Sequence, residues 1–151
     1  MRKVEVTRHI DAPPQTVWPV ISDVAHWPDW LPTIDSVERL DEGPLRIGSR
    51  TRVTQPKLPK AEWEVTELDE GRLFTWEAAG PGMRSIGRHE VVPDGDGSLV
   101  TLSIEQTGPM GWVAATVWRG LTQRYVALEA ESLEVRVTGS PAGRLLLARG
   151  C

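Results

Sequence analysis

One histidine in a strand-like segment is the strongest candidate for chemistry in this sequence. His89 lies two residues before Val91 in an alternating segment, so both side chains are expected on the same, inward face. A neutral imidazole on such a face can orient a carbonyl group or act as a general base. It can equally be a hydrogen-bonded core residue, and the sequence leaves both interpretations open.

Most of the common catalytic devices are missing from the chain. It has no G-x-S-x-G elbow, no P-loop and no dinucleotide fingerprint. The three histidines lie far apart, and none has partners at a spacing typical of metal ligands. We therefore expect neither a metal nor another cofactor, and if the protein is an enzyme, catalysis must rest on positioning and a few polar groups.

Tryptophan is the unusual component of the composition, with seven Trp against one Tyr and one Phe. Alternation places several of these rings on the inward face of strand-like segments, and others lie on a helix-compatible segment near the end of the chain. Such a set can form an aromatic-lined cavity for a small molecule or simply a well-packed core. The candidate ligand-binding residues are Trp63, Trp76, His89, Leu102, Trp112, Trp118, Leu121 and Tyr125.

Periodicity and turn signals indicate the elements that must position these residues. Residues 3–10 alternate as a half-buried strand, Pro14 favours a helix start, and a Pro-rich turn with Trp27 and Trp30 follows. Strands are predicted near residues 34–40, 49–55, 61–68, 73–78, 84–92 and 99–106. Residues 111–137 are predicted to form one helix whose apolar face contains Ala114, Trp118, Leu121, Tyr125, Leu128, Ser132 and Val135.

Length and charge predict one domain and exclude some partners. Residues 1–138 of the 151 form the predicted α+β domain, and residues 139–151 are predicted to be a frayed tail. The net charge of −4 has no basic stripe, which argues against nucleic acid as a partner. Cys151 is the only cysteine, and no apolar run is long enough to insert in a membrane. We expect a cytoplasmic protein, either a monomer or a homodimer.

Several local strings resemble a known superfamily over about residues 2–137. They are Ala12-Pro13-Pro14-Gln15-Thr16-Val17-Trp18, Ser22-Asp23 with Trp27 and Trp30, Ile47-Gly48-Ser49-Arg50, Trp63-Glu64-Val65-Thr66-Glu67 and Arg72-Leu73-Phe74-Thr75-Trp76. They resemble the START-related, polyketide cyclase/dehydrase-like superfamily (SRPBCC), which has the helix-grip fold of birch-pollen allergens. The resemblance implies a seven-stranded, curved antiparallel sheet gripping a long C-terminal helix, with two short helices after the first strand. It implies no particular reaction, because members include carriers, hormone receptors and aromatase/cyclases.

The turns of the predicted meander divide into two chemically different sets. Turns at 41–44, 69–71 and 94–97 are acidic and glycine-containing, as tight hairpin closures are. The opposite loops, 56–60, 80–83 and 108–112, carry Leu58, Met83 and Met110, and apolar tips with polar neighbours often surround an opening. We predict the entrance there, with Trp112 at its lip, although these loops could also be plain connections. Polar side chains that could reach the rim, or could simply be solvated, are Arg84, Gln106 and Arg124.

Three functions fit these observations. The first is a carrier- or sensor-like protein that binds a small, largely apolar, aromatic or polycyclic molecule. The second is a polyketide aromatase/cyclase-like enzyme that acts by positioning and dehydration, with His89 as the candidate catalytic group. The third is a regulator that binds a protein partner. Substitutions in the entrance loops should weaken ligand binding, whereas changes at Glu42 and Glu70 in the acidic turns should have no effect.

Overall fold

The computed structural model describes residues 2–139, so the expectation of a frayed tail falls almost wholly outside the described residues. A first strand, β1 (Arg2–Ile10), leads into α1 (Pro14–Ile21) and a short 3₁₀ helix (Val24–Asp29). Six strands and two helices follow: β2 (Ser36–Arg39), β3 (Arg50–Thr54), β4 (Ala61–Asp69), β5 (Leu73–Gly80), β6 (Met83–Asp94), β7 (Gly97–Thr107), α2 (Pro109–Val117) and α3 (Arg119–Thr138).

The seven strands form one antiparallel sheet in the order β1-β7-β6-β5-β4-β3-β2. Strands β2 to β7 are a meander of sequential neighbours, and β1 pairs with β7, with Arg2 opposite Gln106 and Ile10 opposite Ser98. The predicted α+β fold, with its seven-stranded antiparallel sheet and long C-terminal helix, is confirmed.

A bulge in β4 explains why its inward residues change phase. The pairing with β5 runs from Val65↔Trp76 directly to Glu67↔Thr75, so Thr66 is the extra residue. Trp63 and Val65 are buried, and beyond the bulge it is Leu68 that packs against the core. The extra residue shifts the alternation by one and bends the strand.

The C-terminal helical segment is broken, so the prediction of one helix over 111–137 is wrong. Helix α2 ends at Val117, Trp118 has φ −104° and ψ 14°, and α3 begins at Arg119. The backbone N–H of Trp118 still donates to Ala114 O, and Trp118 O accepts from Thr122, which joins the two helices. β-Branched residues before the break and Gly120 after it lower helix propensity locally, which makes this the natural place for the helix to break.

The buried face of α3 also differs from the predicted one. Leu121 and Leu128 are only partly buried, whereas Val126, Ala130, Leu133 and Glu134 are buried. The prediction followed the largest apolar residues along an uninterrupted helix. The true face contains a small residue and an acid, so hydrophobicity alone points to the wrong side of the helix.

The acid on this face is held by a cation from the sheet. Glu134 is almost fully buried, and its Oε1 accepts hydrogen bonds from Arg8 Nε at 3.0 Å and Arg8 Nη2 at 2.8 Å. Arg8 follows Val4 and Val6 on the inward face of β1. A buried carboxylate needs such a partner, because burying an unpaired charge is costly. The pair therefore fixes α3 against the first strand.

The acidic turns contain specific structural contacts. The Arg50 backbone N–H donates to Asp41, and together with Ser49 and Arg39 this bond holds the pKa of the Asp41 carboxyl below its ordinary value. Glu70 Oε1 accepts a 2.9 Å hydrogen bond from Trp18 Nε1, which attaches α1 to the β4–β5 turn. The expectation that Glu70 can be changed without effect is therefore wrong for stability, because its loss leaves a buried indole donor without its acceptor.

Candidate functional site

A cavity of about 430 Å³ lies between the inward face of the sheet and α3. Its volume is within the range typical of small-molecule sites. The sheet and the 3₁₀ helix provide Trp27, Val53, Gln55, Trp63, Trp76, Ala78, Ser85, Gly87, His89, Leu102, Ser103, Ile104 and Gln106. The helical side provides Trp118, Thr122, Tyr125, Val126 and Glu129.

Three tryptophans form the main aromatic surface of the cavity. Trp63 and Trp76 occupy inward positions on neighbouring strands and stack at 5.5 Å between ring centroids, with 30° between their planes. Trp27 meets Trp76 edge-on at 5.3 Å, and its own Nε1 donates to Ile21 O inside the 3₁₀ corner. All three tryptophan residues are buried, so their rings are held in place. The surface that they form suits flat apolar molecules.

Gly87 provides the space in which the Trp76 ring lies. A Cβ on this residue would come 2.9 Å from Trp76 Nε1 and 3.0 Å from Trp76 Cδ1. Real side chains do not approach that closely, so any larger residue here would displace the indole. Gly87 therefore helps to set the shape of the cavity without contacting its contents through a side chain.

His89 lies at the inner end of the cavity and is 5% exposed. Its ring stacks on Phe74 at 4.2 Å between centroids with 12° between the planes, and Trp27 and Trp76 flank it at 5.6 and 5.7 Å. Nδ1 lies 3.3 Å from the backbone oxygen of Phe74, and Nε2 lies 3.5 Å from Glu129 Oε1.

These two contacts constrain where the protons lie. The carbonyl oxygen of Phe74 can only accept, so His89 Nδ1 must carry a proton to bond it. Nε2 of a neutral ring would then be an acceptor facing the acceptor Oε1 of an ionised Glu129. The contact is favourable only if one proton lies between the two groups, on Nε2 or on the carboxyl. His89 and Glu129, which we call the inner pair, thus place a hydrogen-bond donor and an acceptor side by side.

The loops at one end of the sheet line the mouth of the cavity. Leu58, Pro59, Lys60, Gly80, Pro81 and Met83 all contribute lining. The Tyr125 hydroxyl donates to Pro56 O, which ties the 56–60 loop to α3. Within the described chain, the turns at 41–44, 69–71 and 94–97 contribute no lining residue. Two of the three loops predicted to bound the entrance, 56–60 and 80–83, thus contribute lining, whereas residues 108–112 contribute none.

The structure brings together most, but not all, of the candidate residues. Trp63, Trp76, His89, Leu102, Trp118, Tyr125, Leu58, Met83 and Gln106 line the cavity. Trp112 and Met110 are about half exposed on α2, and Leu121 is partly buried on α3; none of the three borders the cavity. Arg84 pairs with Glu77 at 2.7 Å, and Arg124 is exposed away from the lining. Leu121 was misplaced because the helix break changes the phase of the segment.

Glu129 and Trp27 are two of the lining residues that sequence reasoning did not select. Glu129 follows Tyr125 by four positions, so helical spacing alone could have placed both on one face. Because Glu129 is charged, hydrophobic patterning assigns it to the solvated side of the helix. Trp27 had no such signal, since a Pro-containing 3₁₀ segment has no periodicity that tells which way a ring points.

Two kinds of feature, a metal-binding cluster and a membrane-spanning helix, are absent from the described residues. Residues 2–139 contain no group of three or more His, Cys, Asp or Glu side chains that could hold a metal ion. In that same part of the chain, no helix has both the length and the apolar character needed to cross a bilayer.

Comparison with known proteins agrees with this architecture. The chain belongs to the family described as polyketide cyclase / dehydrase and lipid transport, whose pattern matches residues 1–138. A search of curated protein sequences found no match.

Solved structures of the same fold include an aromatase/cyclase, a START superfamily protein and a synthase. The Zhui aromatase/cyclase from Streptomyces sp. R1128 is 19% identical, with TM-score 0.74, over 90% of this chain and 93% of that one. A START superfamily protein from Mycobacterium smegmatis is 21% identical, with TM-score 0.71, over 89% and 96%. Truncated norcoclaurine synthase from Thalictrum flavum is 20% identical, with TM-score 0.71, over 91% and 93%. These similarities show the shared fold.

Proposed function

We propose that this protein binds a small, largely apolar molecule with a flat aromatic or polycyclic body, as a carrier or sensor does. The observation that carries the proposal is the cavity of about 430 Å³ between sheet and α3, walled by Trp27, Trp63 and Trp76. A cavity of that size bordered by rigid rings offers a large stacking surface, and filling it removes apolar area from water.

The character of the family supports the proposal without naming the ligand. The family description combines cyclase, dehydrase and lipid-transport activities, which share the need to enclose an apolar molecule. Norcoclaurine synthase, which has the same fold, has been solved in complex with dopamine and hydroxybenzaldehyde, both small aromatic compounds. The aromatic lining of the present cavity suits ligands of that general kind.

The test is a titration with 1-anilinonaphthalene-8-sulfonate and with naphthalene. Binding should quench tryptophan fluorescence and raise the melting temperature, because a ligand at a hundred times its Kd stabilises the folded state by about 2.7 kcal/mol. Ala78→Phe, which places a ring in the cavity, should abolish the response. Ala127→Phe, the same substitution on the exposed side of α3, should leave it intact. Equal responses from both variants would show that the probes bind elsewhere.

A second candidate is an enzyme related to the cyclases and dehydrases, and the inner pair favours it. In a dehydration, a base takes the proton next to a carbonyl, the carbon–carbon double bond forms, and the β-hydroxyl leaves as water with a proton from an acid. His89 Nε2 and Glu129 Oε1 lie 3.5 Å apart at the cavity wall, and an imidazole beside a carboxyl can supply one base and one acid. The test incubates the protein with a β-hydroxy naphthyl ketone. We expect the corresponding enone to form, and the increase in its absorbance measures the rate of dehydration. A rate that is unchanged in His89→Phe would eliminate this candidate.

A further inference from the structure

The inner pair leaves one oxygen atom without a hydrogen bond. Glu129 Oε1 is buried and has no hydrogen-bond partner in the described part of the chain, and its distance of 3.5 Å to His89 Nε2 exceeds that of a charge-assisted bond. Buried polar groups are nearly always satisfied, so an exception at a cavity wall indicates a missing partner.

The atoms around the pair restrict what that partner can be. His89 Nδ1 is already engaged by Phe74 O, and the Tyr125 hydroxyl donates to Pro56 O, so neither group is free to satisfy Glu129. The Glu129 side chain is 18% exposed, and its terminal torsion is soft, so either carboxyl oxygen can turn toward the cavity. Whether the proton lies on Nε2 or on the carboxyl, the site offers one acceptor beside one donor.

A hydroxyl group satisfies both atoms at once. Its hydrogen goes to the acceptor of the pair and its oxygen accepts from the donor, so two ordinary hydrogen bonds replace the long 3.5 Å contact once the carboxyl turns toward the cavity. A ketone or an ether can only accept, so it leaves the acceptor of the pair unsatisfied. A ligand carboxylate can also only accept, and it would bring an unpaired negative charge to the buried end of the cavity.

We propose that the inner pair selects ligands with a neutral phenolic or enolic hydroxyl, which it binds at the closed end of the cavity. This inference rests on the proposed binding function and adds the ligand class and its orientation. The hydroxyl lies deep against His89 and Glu129, and the apolar body lies along the tryptophan surface. An anionic group on the same molecule is accommodated only at the mouth, where Lys60 lines the cavity.

Four probes of similar size test the inference by calorimetric titration: 2-naphthol, 2-methoxynaphthalene, 2-naphthoate and naphthalene. We expect 2-naphthol to bind about tenfold tighter than 2-methoxynaphthalene, because only the former can donate to the carboxylate. The 2-naphthoate anion should bind more weakly than naphthalene. Equal affinities for 2-naphthol and 2-methoxynaphthalene in the unmodified protein would overturn the inference while leaving the binding function standing.

A matched pair of variants assigns the preference to Glu129. Glu129→Leu should bring the ratio of the two affinities close to one and should keep or improve the binding of naphthalene. Glu131→Leu, the same change two residues along α3 and outside the lining, should keep the ratio of the unmodified protein. A tenfold ratio that persists in Glu129→Leu would overturn the assignment. Failure of all four probes to bind the unmodified protein would overturn the proposed function itself.

Discussion

At the scale of single residues, the absence of a side chain at Gly87 shapes the cavity as much as any ring does. The position is buried on the inward face of β6, beside His89, and the Trp76 indole occupies the space that a side chain would need. The shape of the tryptophan surface thus depends on a residue that offers no chemistry of its own.

We expect Gly87→Ala to reduce apolar-ligand affinity about tenfold, because the methyl group would push the Trp76 ring into the cavity. Stability should fall by about 1–3 kcal/mol from the same overpacking. Calorimetric titration and denaturant unfolding measure the two effects. Gly120→Ala is the control, since a Cβ there meets nothing within 4 Å, and it should raise stability by a few tenths to about 1 kcal/mol. Unchanged affinity in Gly87→Ala would mean that the ring relaxes away from the cavity.

A second residue-scale expectation concerns His9 on the outer face of β1. Hydrogen bonds to Asp94 at 2.8 Å and Asp11 at 3.0 Å raise the pKa of His9 above its ordinary value of about 6.5. The folded state therefore binds this proton more tightly than the unfolded state does. The stabilisation is fully present below about pH 6.5 and is lost as pH rises through the folded value.

His9→Gln should accordingly destabilise the protein at pH 5.5 and have much less effect at pH 9, as measured by urea unfolding at the two pH values. His26 allows a second, independent test. Its hydrogen bond to Asp23 raises its pKa, so His26→Gln should show the same dependence of stability on pH. A larger loss of stability at pH 9 than at pH 5.5 would contradict the sign of this argument.

At the scale of elements, α3 is held by an unexpected face. Leu133 is fully buried against the sheet, and we expect Leu133→Ala to cost about 2–5 kcal/mol, as truncations that leave a cavity do. Leu128→Ala and Leu121→Ala, at the positions favoured by the hydrophobic pattern, should each cost about 1 kcal/mol or less. Chemical denaturation of the three variants compares them directly. If Leu128→Ala lowered the free energy of unfolding as much as Leu133→Ala does, the buried face predicted from the sequence would be the correct one.

The elements that could be predicted from sequence are those with a clear period or a clear stop. The alternation of β1, the turn residues between strands and the Pro-led start of α1 fix those elements within a few residues. Helix α3 was harder, because its buried face includes Glu134, and a charged residue is assigned to the surface unless its partner is known. Arg8, the partner, lies on a strand at the other end of the chain, and no local pattern connects the two.

The residues of the candidate site also divide into those that the sequence could predict and those that it could not. Trp63, Trp76 and His89 follow from strand alternation, and Leu58 and Met83 from the chemistry of the turns. Gly87 could not be selected, because its role depends on the Trp76 ring of the neighbouring strand. Glu129 follows Tyr125 at helical spacing, but its charge favours a surface position in any reading of the pattern. Trp112 was predicted at the lip from the position of the 108–112 loop, but it is half exposed on α2, whereas Trp118, the other tryptophan candidate on this segment, lines the cavity.

At the scale of the whole molecule, the two ends of the sheet have different roles. Asp41 and Glu70 at one end hold turns and helix α1 in place, and loops carrying Leu58, Lys60 and Met83 line the cavity at the other. Ligand exchange through the second end, where we predict the entrance, would require movement only of loops, which are the least costly parts of a fold to displace.

We therefore expect Met83→Asp to weaken naphthalene binding about tenfold, since a charged group at the lining removes apolar contact, with little change in melting temperature. Met110→Asp is a close control, because Met110 is half exposed on the neighbouring α2 and does not line the cavity. Titration of both variants gives the comparison. Equal losses of affinity would place α2, rather than the β5–β6 turn alone, at the entrance.

The pairing of β1 with β7 has a consequence for how the protein is made. Ile10 is synthesised well before its partner Ser98, because five further strands and two short helices precede β7. At about 5–20 residues per second, translation takes roughly 4–18 s to cover that distance. Over this interval the nascent β1 has its apolar alternate residues and backbone groups unpaired, while β2 to β6 can already associate with their neighbours. The first of the seven strands to be synthesised is thus among the last to pair, and among these strands it gives a chaperone the longest opportunity to bind.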